Sequence, residues 1–146
     1  MPPIRGSIEI ARSTEEVFRY AADPTRRREW QETVRAVEVG TPGRVGAGTR
    51  VRETRAVTGG DRTFEWEYDR FEAPHTCGFR GVTGPVRPVG AITCDALGGA
   101  NATRVEIAID FETSGIARPL AILARRDARK QVPRELAALK QRLEHA

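Results

Sequence analysis

Cysteine, histidine and lysine are all scarce in this chain, and each scarcity removes a class of function. Two cysteines (Cys77, Cys94) and two histidines (His75, His145) stand in 146 residues. Two thiols are too few for a disulfide scaffold and lack the spacing of a metal site, so a reduced cytoplasmic protein with no metal and no cofactor is expected. No nucleophile–base–acid arrangement is legible. His75 falls in a turn after Pro74 and His145 one residue from the end, so no catalytic residue is assigned. Apolar runs are short: none approaches the roughly 18 residues of a bilayer span. The start, MPPIRGSIEI, lacks the apolar segment of a secretory signal. The glycine-rich GRVGAG (43–48) precedes a strand rather than a helix, which makes it no phosphate cradle.

What is present is arginine. Basic residues number 24 against 20 acidic, a net charge of +4, and 22 of the 24 are arginine. Such a bias reflects a GC-rich bacterial genome as much as chemistry. The excess is uneven: residues 116–146 hold eight basic and three acidic side chains, whereas 1–115 hold sixteen and seventeen. That basic tail contains no aromatic residue, which argues against nucleic acid. Contact with an acidic partner or an anionic membrane, through residues such as Arg126 and Lys130, stays open as one reading. At 39% hydrophobic and without repeats, residues 1–146 fit one domain with one core.

Periodicity supplies the elements. SIEIAR (7–12) alternates as a short strand, and STEEVFRYAAD reads as a helix capped by Ser13 or Thr14 and stopped at Asp23-Pro24. A second short helix runs to about residue 30. Strands are predicted over 33–39, 49–57, 62–71, 76–82, 86–97 and 103–112, with turns at TGGD (58–61) and GGAN (98–101). In the first of these, Val34 and Ala36 are placed on one face and Val37 and Val39 on the other. Phe64, Trp66 and Tyr68 share one face of the third, and Val105, Ile107, Ile109 and Phe111 one face of the last. Short loops between successive strands indicate an antiparallel meander.

Residues 118–145 read as a long helix that Pro133 should kink or interrupt. Its apolar stripe is alanine in the first half (Ala121, Ala124, Ala128) and leucine in the second (Leu136, Leu139, Leu143). Alanine leaves space over a sheet and leucine fills it. A cavity under the first half is one consequence, and close helix–sheet approach is the other. In DPTRRREWQETV (23–34), a short helix splits Arg26, Arg27 and Arg28 by face. Trp30 is expected to plug inward, with the arginines as its wet side.

The order of elements, with EEVFRYAADPTRRREW (15–30), VGAGTRVRE (45–53), WEYDRFEAPHTCGFR (66–80) and GGANATRVEIAIDFETSG (98–115), resembles the START-like (SRPBCC) superfamily. The likeness is to its polyketide cyclase/dehydrase and lipid-transport group and spans nearly the whole chain. The resemblance implies an α+β helix-grip fold: a seven-stranded antiparallel sheet curved around the long C-terminal helix, with two short helices between the first two strands. It also implies an elongated pocket for an apolar or amphipathic small molecule.

The candidate wall is Trp66, Tyr68, Phe79, Arg80 and Ile92, with Trp30 near the mouth and Ala121, Ala124 and Ala128 above. Phe18, Phe64 and Phe71 are assigned to ordinary core. Polar groups able to orient a ligand include Arg52, Glu53, Arg55, Glu67, Arg80, Arg87 and Thr93, with Arg52 and Glu67 expected on the wet face. Three functions follow: a binder of a lipid, polyketide or aromatic metabolite; a cyclase/dehydrase-type enzyme using the same pocket; or the basic-helix interaction module. A monomer and a homodimer are both compatible with the sequence.

Overall fold

Residues 2–98 and 101–145 are described in a computed structural model of the chain. The first strand, β1 (Ile4–Ile10), begins three residues before the predicted start. Its inward positions are Ile4, Gly6, Ile8 and Ile10, and the glycine hides the alternation. A Cβ on Gly6 would stand 2.7 Å from Cγ1 of Val132, so the missing side chain lets the long helix approach this strand.

Helix α1 (Thr14–Ala21) starts at Ser13, whose hydroxyl accepts from the Glu16 amide. Asp23 then accepts from the Thr25 amide at 2.9 Å and caps a 3₁₀ turn, Pro24–Arg26, that runs into the short α2 (Arg27–Trp30).

The remaining strands are β2 (Val34–Val39), β3 (Arg50–Val57), β4 (Gly60–Glu72), β5 (Thr76–Gly81), β6 (Val86–Ala96) and β7 (Thr103–Thr113). They form one antiparallel sheet in the order β1-β7-β6-β5-β4-β3-β2. The first strand thus pairs with the last, and β2 to β7 form the meander. Of the turn expected at 98–101, Gly99 and Ala100 lie outside the described residues; the Leu97 amide donates to the Ala102 carbonyl across it. One facial assignment is corrected. A register shift between Val34 and Ala36 turns Val34 to the same side as Val37 and Val39, leaving Ala36 exposed.

Helix α3 (Arg118–Glu144) packs chiefly against β1 and β7. Its inward side is Ala121, Arg125, Ala128, Val132, Glu135, Leu136 and Leu139. Pro133 does not interrupt it, because the proline lies on the exposed side of a helix anchored along its length. Lys140 donates to the Glu9 carbonyl (2.6 Å), Arg142 to the Glu29 carbonyl (3.0 Å), and the Ala11 amide to Glu144 (2.7 Å). This is the helix-grip fold. Beneath the leucine half the interior is filled, and Phe18, Phe71 and Tyr68 stack edge-on at 5.2–5.3 Å.

Candidate functional site

Under the alanine half the interior is not filled. A cavity between α3 and the sheet contains about 1020 Å³ of empty space, part of it open to solvent. Its apolar wall comprises Trp30, Phe64, Trp66, Phe79, Ile92, Ile107 and Phe111, with Ala124 and Ala128 above. Residues two apart on a strand share a face, which is why Phe64 and Trp66 both look inward. Gly90 makes room for Phe79: a Cβ there would meet the end of that ring at 2.8 Å. The space ends where Leu136 and Leu139 begin, at 2% and 0% exposure.

One side of the cavity is charged. Glu53, on the inward face of β3, is 1% exposed and accepts three hydrogen bonds. Arg27 Nε (2.8 Å) and Trp66 Nε1 (3.1 Å) reach one oxygen; Arg55 Nε (3.1 Å) reaches the other. Burial alone would raise its pKa, but Arg27 and Arg55 outweigh that and hold the carboxyl below the ordinary range. Arg27 also lies over the Trp66 ring at 4.9 Å. From α3, Glu135 accepts from Arg55 Nη1 at 3.4 Å. Burial pushes Glu135 above the ordinary carboxylate range, against the opposing pull of Arg55 and Arg27. Gln31 accepts from both arginines. Toward the other end, Asp127 of α3 accepts from the amide (3.0 Å) and hydroxyl (2.7 Å) of Thr58 in the β3–β4 turn.

Of the residues singled out from the sequence, Trp30, Trp66, Phe79, Ile92, Ala124 and Ala128 line this cavity and three do not. Arg80 follows Phe79 directly and so points to the opposite face, where it pairs with Glu67 at 3.1 Å in solvent. Tyr68 faces inward, but its hydroxyl donates to the Ala22 carbonyl at 2.7 Å and seals the sheet against α1. Burial drives its phenol pKa well above the usual value. Ala121 packs with Val86 and Ala117 in a separate small cluster.

Phe64 packs against the core as expected and also lines the cavity. One further expectation is corrected: Arg27 is not on the wet side of Trp30, since its side chain is 13% exposed. Glu53 and Arg55 were among the polar candidates; Arg27, Gln31 and Glu135 were not. Glu135 had a signal: it follows Val132 by three and precedes Leu139 by four, which places a charge on the buried stripe.

Other reactive groups lie elsewhere. Cys77 and Cys94 are free and buried; Cys77 sits opposite Ile92, so the two thiols are diagonal across β5 and β6. Burial raises them to about 11 and about 12. His75 is exposed beyond Pro74. No group of three or more His, Cys, Asp or Glu able to hold a metal occurs among the described residues. No helix among them is long and apolar enough to cross a membrane. Arg126 and Lys130 lie exposed on α3.

Solved structures repeat this architecture. The Zhui aromatase/cyclase from Streptomyces sp. R1128 matches with a TM-score of 0.82 at 18% identity, over 97% of this chain and 93% of that one. A START superfamily protein from Mycobacterium smegmatis matches at 0.80 and 15% identity, over 99% of both chains. A protein from Thermus thermophilus, TTHA0849, matches at 0.77 and 23% identity, over 99% and 98%. At these identities the likeness is one of fold. No curated protein matches the sequence. Residues 1–144 match the family described as polyketide cyclase / dehydrase and lipid transport. With that match over nearly its whole length and a START-like helix-grip fold around an open cavity, the chain belongs to this family.

Proposed function

We propose that the protein binds a small apolar or amphipathic molecule (a lipid, polyketide or aromatic metabolite) in the cavity between α3 and the sheet. One observation carries this reading: a well-packed chain leaves a space walled by five aromatic side chains and two alanines, with a few polar groups at one side. Interiors ordinarily close such spaces, and pockets of this make-up bind ligands. Free, buried thiols accord with a cytoplasmic location. Native mass spectrometry of protein purified from its own source tests the reading: a bound, chemically unchanged small molecule supports it. Protein that elutes empty and takes up no apolar probe counts against it.

A second reading, a cyclase/dehydrase-type enzyme, draws on Glu53 and Glu135. Two carboxylates whose proton affinities are driven in opposite directions, beside a shared guanidinium, are the arrangement general acid–base chemistry uses. Glu135 would hold the transferable proton, and Glu53 would stay ionised and orient Arg55. Loss of turnover of a poly-carbonyl substrate in Glu135→Gln protein, with binding retained, favours the enzyme. Unchanged turnover removes Glu135 from that role.

A further inference from the structure

Three side chains on the cavity wall carry a buried polar atom with no hydrogen-bond partner among the described residues. They are Nε1 of Trp30, Oγ1 of Thr33 and Oε1 of Gln131. Trp30 itself is 2% exposed. Buried polar groups are paired in the great majority of cases, and three left over around one space mark what an occupant of that space supplies. All three are electrically neutral.

The charged groups beside them are largely paired with one another. Each nitrogen of the Arg55 fork has its own acceptor: Glu53 at Nε, Glu135 at Nη1 and Gln31 at Nη2. Arg27 gives Nε to Glu53 and Nη2 to Gln31, and covers the Trp66 ring. Trp66 Nε1 is also taken by Glu53. Two guanidiniums face two carboxylates, so with both ionised the cluster carries no net charge.

From this contrast we propose that the polar end of the cavity selects an uncharged ligand. Its hydroxyl or carbonyl oxygen accepts from Trp30 Nε1, and a hydroxyl donates to Gln131 Oε1. Carboxylates, phosphates and ammonium groups are turned away. The inference rests on the cavity being a ligand site. An anion at this end must displace a carboxylate from an arginine or lie desolvated beside two carboxylates; an ammonium must break the same pairs from the other side. One cavity-lining guanidinium is placed differently. Arg62 lies opposite Arg55 on β4, toward the turn, half-buried and without a carboxylate in ion-pair distance among the described residues. It can hold an anion there, away from the polar end.

The test compares naphthalene, naphthol and naphthoate, substituted at the same ring carbon, by calorimetric titration of Arg62→Gln protein, which has lost that second anchor. Naphthol is expected to bind tightest and naphthoate at least about tenfold weaker. Measured toward alkaline pH, where Glu135 gives up its proton, adding Glu135→Gln leaves the cluster one positive charge in excess, and should raise naphthoate affinity about tenfold while moving naphthol less than about threefold. Gln131→Met should erase the advantage of naphthol over naphthalene. Naphthoate binding as tightly as naphthol in Arg62→Gln protein overturns the selectivity and leaves the ligand site standing. If none of the three binds to protein that circular dichroism shows to be folded, both the site and its selectivity fall.

Discussion

The β3 wall and the α3 wall of the cavity each bury a carboxylate, and they hold it in opposite ways. Glu53 accepts three hydrogen bonds from two guanidiniums and an indole, and its proton affinity falls despite nearly complete burial. Glu135 has one long bond to Arg55, and burial wins. Depth does not separate them, since both are below a tenth exposed. The number and quality of partners does. One wall is a structural anchor; the other keeps a group that can change charge within the same cluster.

Glu53→Gln should show the largest effect. It leaves two buried guanidiniums without their shared counter-charge, and a loss of about 3–5 kcal/mol is expected in urea unfolding. Glu135→Gln should change stability by less than about 1 kcal/mol near neutrality, because Arg55 keeps Glu53 and Gln31. A large loss there would erase the distinction between the walls.

The pH profiles sharpen it. The folded pKa of Glu53 is depressed, so its contribution is present above the ordinary carboxylate value and disappears as pH falls through the folded value. The penalty of Glu53→Gln should therefore shrink in acid. The folded pKa of Glu135 is raised, so its contribution is full below the ordinary value and lost as pH climbs through the folded one. Glu135→Gln should accordingly gain on the wild type as pH climbs above the ordinary carboxylate value. Melting temperatures from acid through alkaline pH check both slopes.

On the α3 wall, Ala128→Leu should weaken a bound apolar probe by about tenfold or more. Its stability should stay within roughly 1.5 kcal/mol, because the new side chain enters existing space. Arg80→Ala should do least. It breaks an exposed pair with Glu67, typically about 0–1 kcal/mol in such settings, and should leave probe binding unchanged in a fluorescence titration.

The strand alternation and the order of elements made the fold legible in the sequence. The change from alanine to leucine along the last helix pointed to where the space lies. What stayed hidden has two physical sources. Local irregularities do not announce themselves: Gly6 interrupts the apolar rhythm of β1, and the shift in β2 turns Val34 over. The buried charges depend on partners far along the chain. Arg27 meets Glu53 across 26 positions and Arg55 meets Glu135 across 80, so no local pattern shows which charges pair. Arg80 is excluded by the strand itself, because it and Phe79 are adjacent and cannot both face one pocket.

The link between Thr58 and Asp127 bears on time rather than affinity. It joins the β3–β4 turn to α3 beside the cavity, where helix and strands pack against each other little. Two hydrogen bonds of roughly 1 kcal/mol each are far weaker than the core beneath the leucines. Thermal motion parts them many times for every opening of the whole fold. Parting the turn from the helix at this point costs those two bonds alone and leaves the sheet ladder and the leucine core intact.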